Sequence, residues 1–407
     1  MNVLFPNLLF EETLAGRRIK AQDPLRWTVA ELAPAMGLLG RSGDVVVVPP
    51  DGVPQDLPEC LSHVRYLTTD TPPLYQCLRS DDSVNVIPWG WDAQAREFAS
   101  RISPQSGPVP SPRSVEMVNG RAFSARFDVI HGDSDLAVFD QRFGYLCESP
   151  NEFAAAVSRL QDHGFSQWIA KPPLSNAARN RLIANSTRLN SQQRSWLDKQ
   201  MKGNGYIYLE PWIVPERECG LQFEIRRNSA ETAPDVVFQG MAELINDRWG
   251  RYRGSLLLPA PDSFWQPAID HGLKICRTAS QTGYFGPVGI DCMQIRLPDG
   301  RCGLRLCNDI NGRLTMGRLA LVLGNCLGSH EWGGWLHTTG ANSSGSADSE
   351  GFFSLADPQD VVRRVRVSPR RVSGRLVQTG SQLIVVNSRR AADRMIHGLR
   401  GDDPHQK

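Results

Sequence analysis

The sequence predicts an α/β unit at the N-terminus followed by α+β lobes. Three observations carry this. Two continuous, β-branched runs near the start flank a segment of helical period. A Pro- and Ser-rich stretch, Arg101–Ser114, then interrupts the chain. Beyond residue 205 strands dominate, with an Asp-Gly turn between two of them.

The runs "NVLF" (Asn2–Phe5) and "DVVVVPP" (Asp44–Pro50) read as buried parallel strands, and "DPLRWTVAELAPAMGLLG" as the helix between them. Neither strand leads into a GxGxxG loop, so this Rossmann-like unit shows no dinucleotide fingerprint. Residues 1–110 form this first unit. In residues 111–204, a smaller lobe, "NEFAAAVSRLQDHG" has a helix period with a Gly stop, "SQWIAKPPL" is a strand ending at Lys171, and "SQQRSWLDKQM" is a helix. Residues 205–335 form a larger lobe of six strands and one strong helix, "WQPAIDHGLKICRTASQTG". Residues 336–407 are a C-terminal extension completing that lobe. It contains the Gly/Ser-rich Thr339–Gly351 and the Val/Arg alternation Val361–Arg375, read as a half-exposed strand with a solvated Arg face.

The bulk numbers bound what the chain does. At 407 residues it exceeds one ordinary core, and 41% hydrophobic with 22% charged residues describes a soluble globular protein. A net charge of +2 offers no bulk attraction to nucleic acid or membrane. No apolar stretch approaches the roughly 20 residues that span a bilayer, and the short apolar start, broken by Pro6, has no basic n-region. Nine Cys without a CxxC pair fit reduced thiols in a cytoplasm. Of 45 basic residues six are Lys, which singles out Lys171 at the end of an apolar strand.

The chemistry gathers in three places. Asp291 in "VGIDCMQI" and Asp309 in "LCNDINGR" flank the Asp299-Gly300 turn at nearly equal distance, so an antiparallel hairpin sets them side by side. Asn311 shares a strand face with Asp309, and Arg313 continues it. Two carboxylates and an amide suit Mg²⁺, which takes few protein ligands; an Asx turn is the plainer reading of Asp-x-Asn. Lys171, stopped by Pro172 and Pro173, is a phosphate contact or a snorkelling strand-end Lys, and the small polar residues of "LSNAARNR" beyond it could fold over phosphates. In "YIYLEPWIVPERECG", Glu210, Trp212 and Ile213 could receive an adenine and Glu218 ribose hydroxyls; otherwise this is an edge strand with a buried Trp. Arg248, Arg251 and Arg253 in "NDRWGRYRGS" suit a substrate carboxylate, or are solvated loop residues. Trp332 and Trp335 floor a pocket or belong to the core, and His330 and His337 lack a partner set for zinc.

In this order, from Lys171 through Glu210-Pro211-Trp212-Ile213 and Asp291 to "NDINGRLTMG", the elements resemble the ATP-grasp superfamily, over roughly Ser114 to Leu323. The resemblance implies an ATP-grasp fold behind a pre-ATP-grasp α/β domain. It implies Mg²⁺ (or Mn²⁺) on Asp291, Asp309 and Asn311, phosphates on Lys171 and Arg121, adenine at Glu210, Trp212 and Ile213, and ribose at Glu218. Lys171 and Arg313 would be the catalytic cations. The chain departs from the family with Asp309 for the usual Glu, Arg121 for a Lys, and a phosphate loop without glycines. The implied activity is an ADP-forming carboxylate–amine ligase working through an acyl phosphate, with ATP, a small carboxylate and an amine such as an amino acid or peptide as partners. A homodimer is compatible with it. A non-catalytic ATP-binding module and a phosphotransferase on the same scaffold are the alternatives.

Overall fold

The computed structural model describes residues 1–17, 19–20, 22–70, 84–102, 107–132, 138–139, 144–174, 180–186, 188–227, 234–247, 249–337 and 358–400. The chain forms two compact units. Unit 1 comprises Met1–Pro112, Met241–Pro261 and Arg313–Lys407; unit 2 comprises Arg113–Gly240 and Asp262–Gly312. The first break falls inside the Pro/Ser-rich stretch, and Thr339–Gly351 lies outside the described residues.

In unit 1 the two β-branched runs become neighbouring parallel strands. The sheet order is Arg65–Thr68, Val45–Val48, Asn2–Phe5, Asn85–Pro88, all parallel. All four valines of Val45–Val48 are buried, as a strand covered on both faces requires. The intervening helix Pro24–Leu32 starts where the Asp23 carboxylate accepts the Leu25 N–H at 2.9 Å. It tightens into a 3₁₀ turn, Ala33–Leu39, at Pro34, which has no N–H to continue the ladder.

The rest of unit 1 is antiparallel. Val361–Arg366, Ser381–Val386, Trp332–His337 and Tyr252–Leu257 pair in that order, and Tyr252–Leu257 also pairs with Glu243–Asn246. The helix Arg389–Arg400 lays Ala391, Ala392 and Met395 over Ile245, Leu336 and Ile384. The Val/Arg alternation is one strand only as far as Arg366. Arg371–Val372 and Arg375–Leu376 form a tight hairpin that joins Pro54–Gln55 in a separate three-stranded sheet. Ser373 and Gly374, at φ 48° and 81°, make the turn.

Unit 2 has two layers of strands. In one, Leu182–Ala184, Trp168–Lys171, Ile207–Pro211 and Tyr145–Cys147 form an antiparallel sheet. The helices Pro150–Asp162 and Ser191–Asn204 bury Phe153, Val157, Leu160, Leu197 and Met201 against it. Ser149 caps the first helix, and an Asn190/Gln193 capping box starts the second. In the other, Arg217–Arg226, Gly286–Arg296, Cys302–Asn311 and Ile130–Gly132 are antiparallel neighbours. The helix Gln266–Gln281 covers one face of it. It approaches so closely that a Cβ at Gly272 would stand 2.4 Å from the Phe223 ring. The hairpin turns at Asp299-Gly300 as expected: Gly300 has φ 85°, and Asp299 accepts the Arg301 N–H at 3.0 Å. This mixed α/β architecture is the predicted fold class.

Candidate active site

One face of the second sheet of unit 2 is apolar and the other is acidic. Cys219, Leu221, Phe223 and Ile225 alternate with Glu218, Gly220, Gln222 and Glu224 along Arg217–Arg226. The first set meets Val288, Ile290 and Cys292 under the helix and is no more than 1% exposed. The second set therefore shares its face with Asp291 and Gly289. Asp291 pairs directly with Asp309, and Gly289 with Asn311. The Asn311 amide nitrogen donates to the Asp291 carboxylate at 3.3 Å.

A break in register makes this pairing. Next to the turn the strands run from Arg296 opposite Cys302 to Met293 opposite Arg305. Continued unbroken, that register would set Asp291 against Cys307. Instead Leu306, Cys307 and Asn308 stand against Cys292 alone, and Asp309 slides into line with Asp291. The slip is by two residues, so side chains keep their faces. Arg305 and Asp309 thus stay on the acidic face.

Beside the acids lies a buried group of cations. Pro172 and Pro173 end the strand of Lys171, and the Pro173 carbonyl accepts the Arg121 N–H at 3.1 Å. Arg121 opens a single helical turn, Arg121–Ser124, which Ser124 ties to the Ile310 N–H at 3.2 Å. The Arg121 side chain, 8% exposed, then reaches the Asp309 carboxylate at 3.1 Å. Lys171 is ion-paired with Glu210. The other Glu210 oxygen accepts from Arg305 at 2.6 Å, and Arg305 grips both oxygens of Asp128 at 2.7 and 2.6 Å. Tyr208 donates to Asp128 at 3.1 Å.

Burial pushes the Glu210 carboxyl up, but Lys171 and Arg305 outweigh it and hold it down to about 2. Burial lowers the Lys171 ammonium; Arg121 adds to this, while Glu210 opposes it. Three cations (Arg121, Lys171, Arg305) and three anions (Asp128, Glu210, Asp309) therefore balance, buried at Arg305, Asp128 and Glu210 and opening toward solvent at Asp309.

Unit 2 also holds Trp212, Ile213 and Glu218. The guanidinium of Arg181 stacks on the Trp212 ring at 5.2 Å, and Ile213 packs beside the core of the first sheet. Residues 175–179 of the expected phosphate lid lie outside the described residues. Glu210, expected to line an adenine pocket, instead has both carboxylate oxygens engaged by cations. Arg313 does not continue the strand face, because the strand ends at Asn311. It belongs to unit 1, where it is ion-paired with Glu11, donates to the Leu314 carbonyl at 2.8 Å and lies over the Trp89 ring.

Arg248 lies outside the described residues, and Arg251 and Arg253 are in unit 1. Arg251, on the turn, pairs with Asp247 at 3.0 Å. Arg253 stands electrostatically against the buried His337, whose ring lies between those of Trp335 and Tyr252. Trp335 is fully buried, so it is core.

Asp128, Tyr208, Arg305, Gln222 and Glu224 escaped the sequence reading. The alternation in "RECGLQFEIR" was a signal for Gln222 and Glu224; Asp128 and Arg305 are 177 residues apart, with no local signal to join them.

Among the described residues no three His, Cys, Asp or Glu side chains form a ready metal cage. The donor set that is present, two register-matched carboxylates and an amide, fits a hard cation that keeps water and phosphate in its shell.

No family model matches the chain, and no curated protein matches it. Solved structures do. N5-carboxyaminoimidazole synthetase from Staphylococcus aureus, complexed with ADP, aligns with 98% of this chain and 96% of its own, at 11% identity and TM-score 0.52. Biotin carboxylase from Campylobacter jejuni, in a β-γ-ATP complex, aligns over 99% and 95%, at 13% identity and TM-score 0.54. The biotin carboxylase domain of Hydrogenobacter thermophilus 2-oxoglutarate carboxylase, a dimer with MgADP, ADP and bicarbonate, aligns over 97% and 88%, at 12% identity and TM-score 0.50. At these identities the likeness is one of fold, and the fold is the ATP-grasp fold.

Proposed function

From a chain with the ATP-grasp fold, we propose an ADP-forming, Mg²⁺-dependent ligase that joins a small carboxylate to an amine. The single observation that carries this is the rung formed by Asp291 and Asp309, with Asn311 on the same face and the cations Arg121 and Lys171 beside it. The nucleotides bound by the structural neighbours, ADP, β-γ-ATP and MgADP, support the same reading.

In this reading Asp291, Asp309 and Asn311 hold Mg²⁺, which when bound neutralises phosphate charge. Lys171 and Arg121 orient the triphosphate, Trp212 and Ile213 border the base, and Glu218 accepts from the ribose. A carboxylate oxygen of the substrate attacks the γ-phosphorus and the bond to the β-γ bridging oxygen breaks, releasing ADP. The amine nitrogen then attacks the acyl carbonyl carbon, the carbon–oxygen bond to phosphate breaks, and the nitrogen loses a proton. No protein nucleophile is needed; the site must position the reactants and exclude water. The buried cation cluster suits that task. Arg251 and Arg253 remain the proposed carboxylate contacts, and a homodimer and a cytoplasmic setting belong to the same reading. Arg313, tied to Glu11, is not required by it.

The test is to incubate the protein with Mg-ATP and pools of amino acids and small acids, following ADP, phosphate and amide. Amine-dependent ADP release is expected, and Asp309→Ala should abolish it. A folded Asp309→Ala variant with full activity would remove the metal assignment. Phosphorylated product without amide would make the protein a phosphotransferase.

A further inference from the structure

Lys171 does not itself decide how much positive charge it can offer a phosphate. Its ammonium faces Glu210 directly, with Arg121 and Asp309 acting on it through space. Glu210 is shared between Lys171 and Arg305, and Arg305 is shared between Glu210 and Asp128. Arg305, Asp128 and Glu210 are each 3% exposed or less, so these charges act on one another with little screening.

We propose that Arg305 and Asp128 are positioning residues that set the strength of Lys171 as a phosphate-binding cation. Arg305 takes up part of the Glu210 charge; Asp128, by gripping Arg305 with two hydrogen bonds, limits how much. The inference rests on the nucleotide-binding reading above. Its content is a pair of opposite signs. Without Arg305, Lys171 is the cation left in direct ion pair with Glu210, with Arg121 acting on that carboxylate through space, and a phosphate must compete with it. With Asp128 neutral, Arg305 is free to turn to Glu210, and Lys171 is released toward the phosphate. A purely structural role for these residues would move both variants the same way.

Calorimetric titration with magnesium ADP reads this directly. Asp128→Asn, which keeps an acceptor for Tyr208 and Arg305, should tighten binding by roughly threefold to tenfold. Arg305→Gln should weaken it by about tenfold or more, and Arg305→Lys should fall between Arg305→Gln and the unaltered protein. If both neutralising variants shift affinity in the same direction, or neither moves it, the positioning role is wrong. Should Arg305→Gln fail to fold, Asp128→Asn still decides, because tightening is required of it. An unaltered protein that binds no magnesium ADP would overturn the nucleotide reading and this inference together. Same-direction shifts in a protein that does bind would overturn the positioning role alone.

Discussion

Buried ionisable residues in this protein fall into two kinds. Glu210 is buried among cations, so its charge is kept. His337 is buried between Trp335 and Tyr252, and among the described residues its Nε2 has no hydrogen-bond partner, so its charge is refused. Burial, with help from Arg253, lowers the His337 pKa from 6.5 to about 3. The unfolded chain therefore takes up a proton near pH 6.5 that the folded chain does not accept until about pH 3. Folded stability is lost as pH falls through that window, because the unfolded state binds more protons. His337→Phe keeps a ring and removes the titration. Urea unfolding should show the unaltered protein losing about 2 kcal/mol more than the variant between pH 7 and pH 5. Equal losses would place that pH dependence elsewhere. The sequence marked both residues but not this difference, since an isolated His or Glu code carries no record of which side chains will enclose it.

At the scale of elements, the hairpin Gly286–Asn311 was the most legible feature. Its Asp-Gly turn and alternating strands were sufficient to set Asp291 near Asp309. What they did not reveal was the slip at Leu306–Asn308, without which Asp291 would face Cys307. A bulge is a packing decision between whole strands and leaves no fixed local code. The turn itself is testable. Gly300 has φ 85° and open space where a Cβ would stand, so Gly300→Ala meets backbone strain and no clash. It should cost about 1 kcal/mol in urea unfolding. A cost near zero would mean that the turn relaxes to a conformation Ala accepts. The Val/Arg run shows the opposite case. Its period of two was read as one strand from Val361 to Arg375. It breaks after Arg366, where Pro369 cannot continue a ladder, and its second part pairs with Pro54–Gln55 over 300 residues away.

For the whole molecule, binding must appear as stability. A ligand that binds the folded state at about 100 times its Kd adds about 2.7 kcal/mol. Magnesium ADP should therefore raise the melting temperature, and chelating the metal should remove most of the gain. A melting temperature indifferent to nucleotide would count against the site. The two compact units bear on this reading as well. Unit 1 is built from three separated stretches and unit 2 from two. The acidic sheet face and the cation cluster both lie within unit 2.

The sequence by itself determined the periodicities: the parallel runs, the helical periods, the Asp-Gly hairpin, and the order of Lys171, Glu210, Asp291 and Asp309. These are local or follow from chain order, and the chemistry of each short segment is enough to read them. Only the tertiary structure decided which charges share a space. It placed Arg121 on Asp309, joined Lys171 to Asp128 through Glu210 and Arg305, and drew Arg313 to Glu11. The reason is physical. A buried charge is stable only with a partner, and partners are chosen by packing across the fold, where separation along the chain has no bearing.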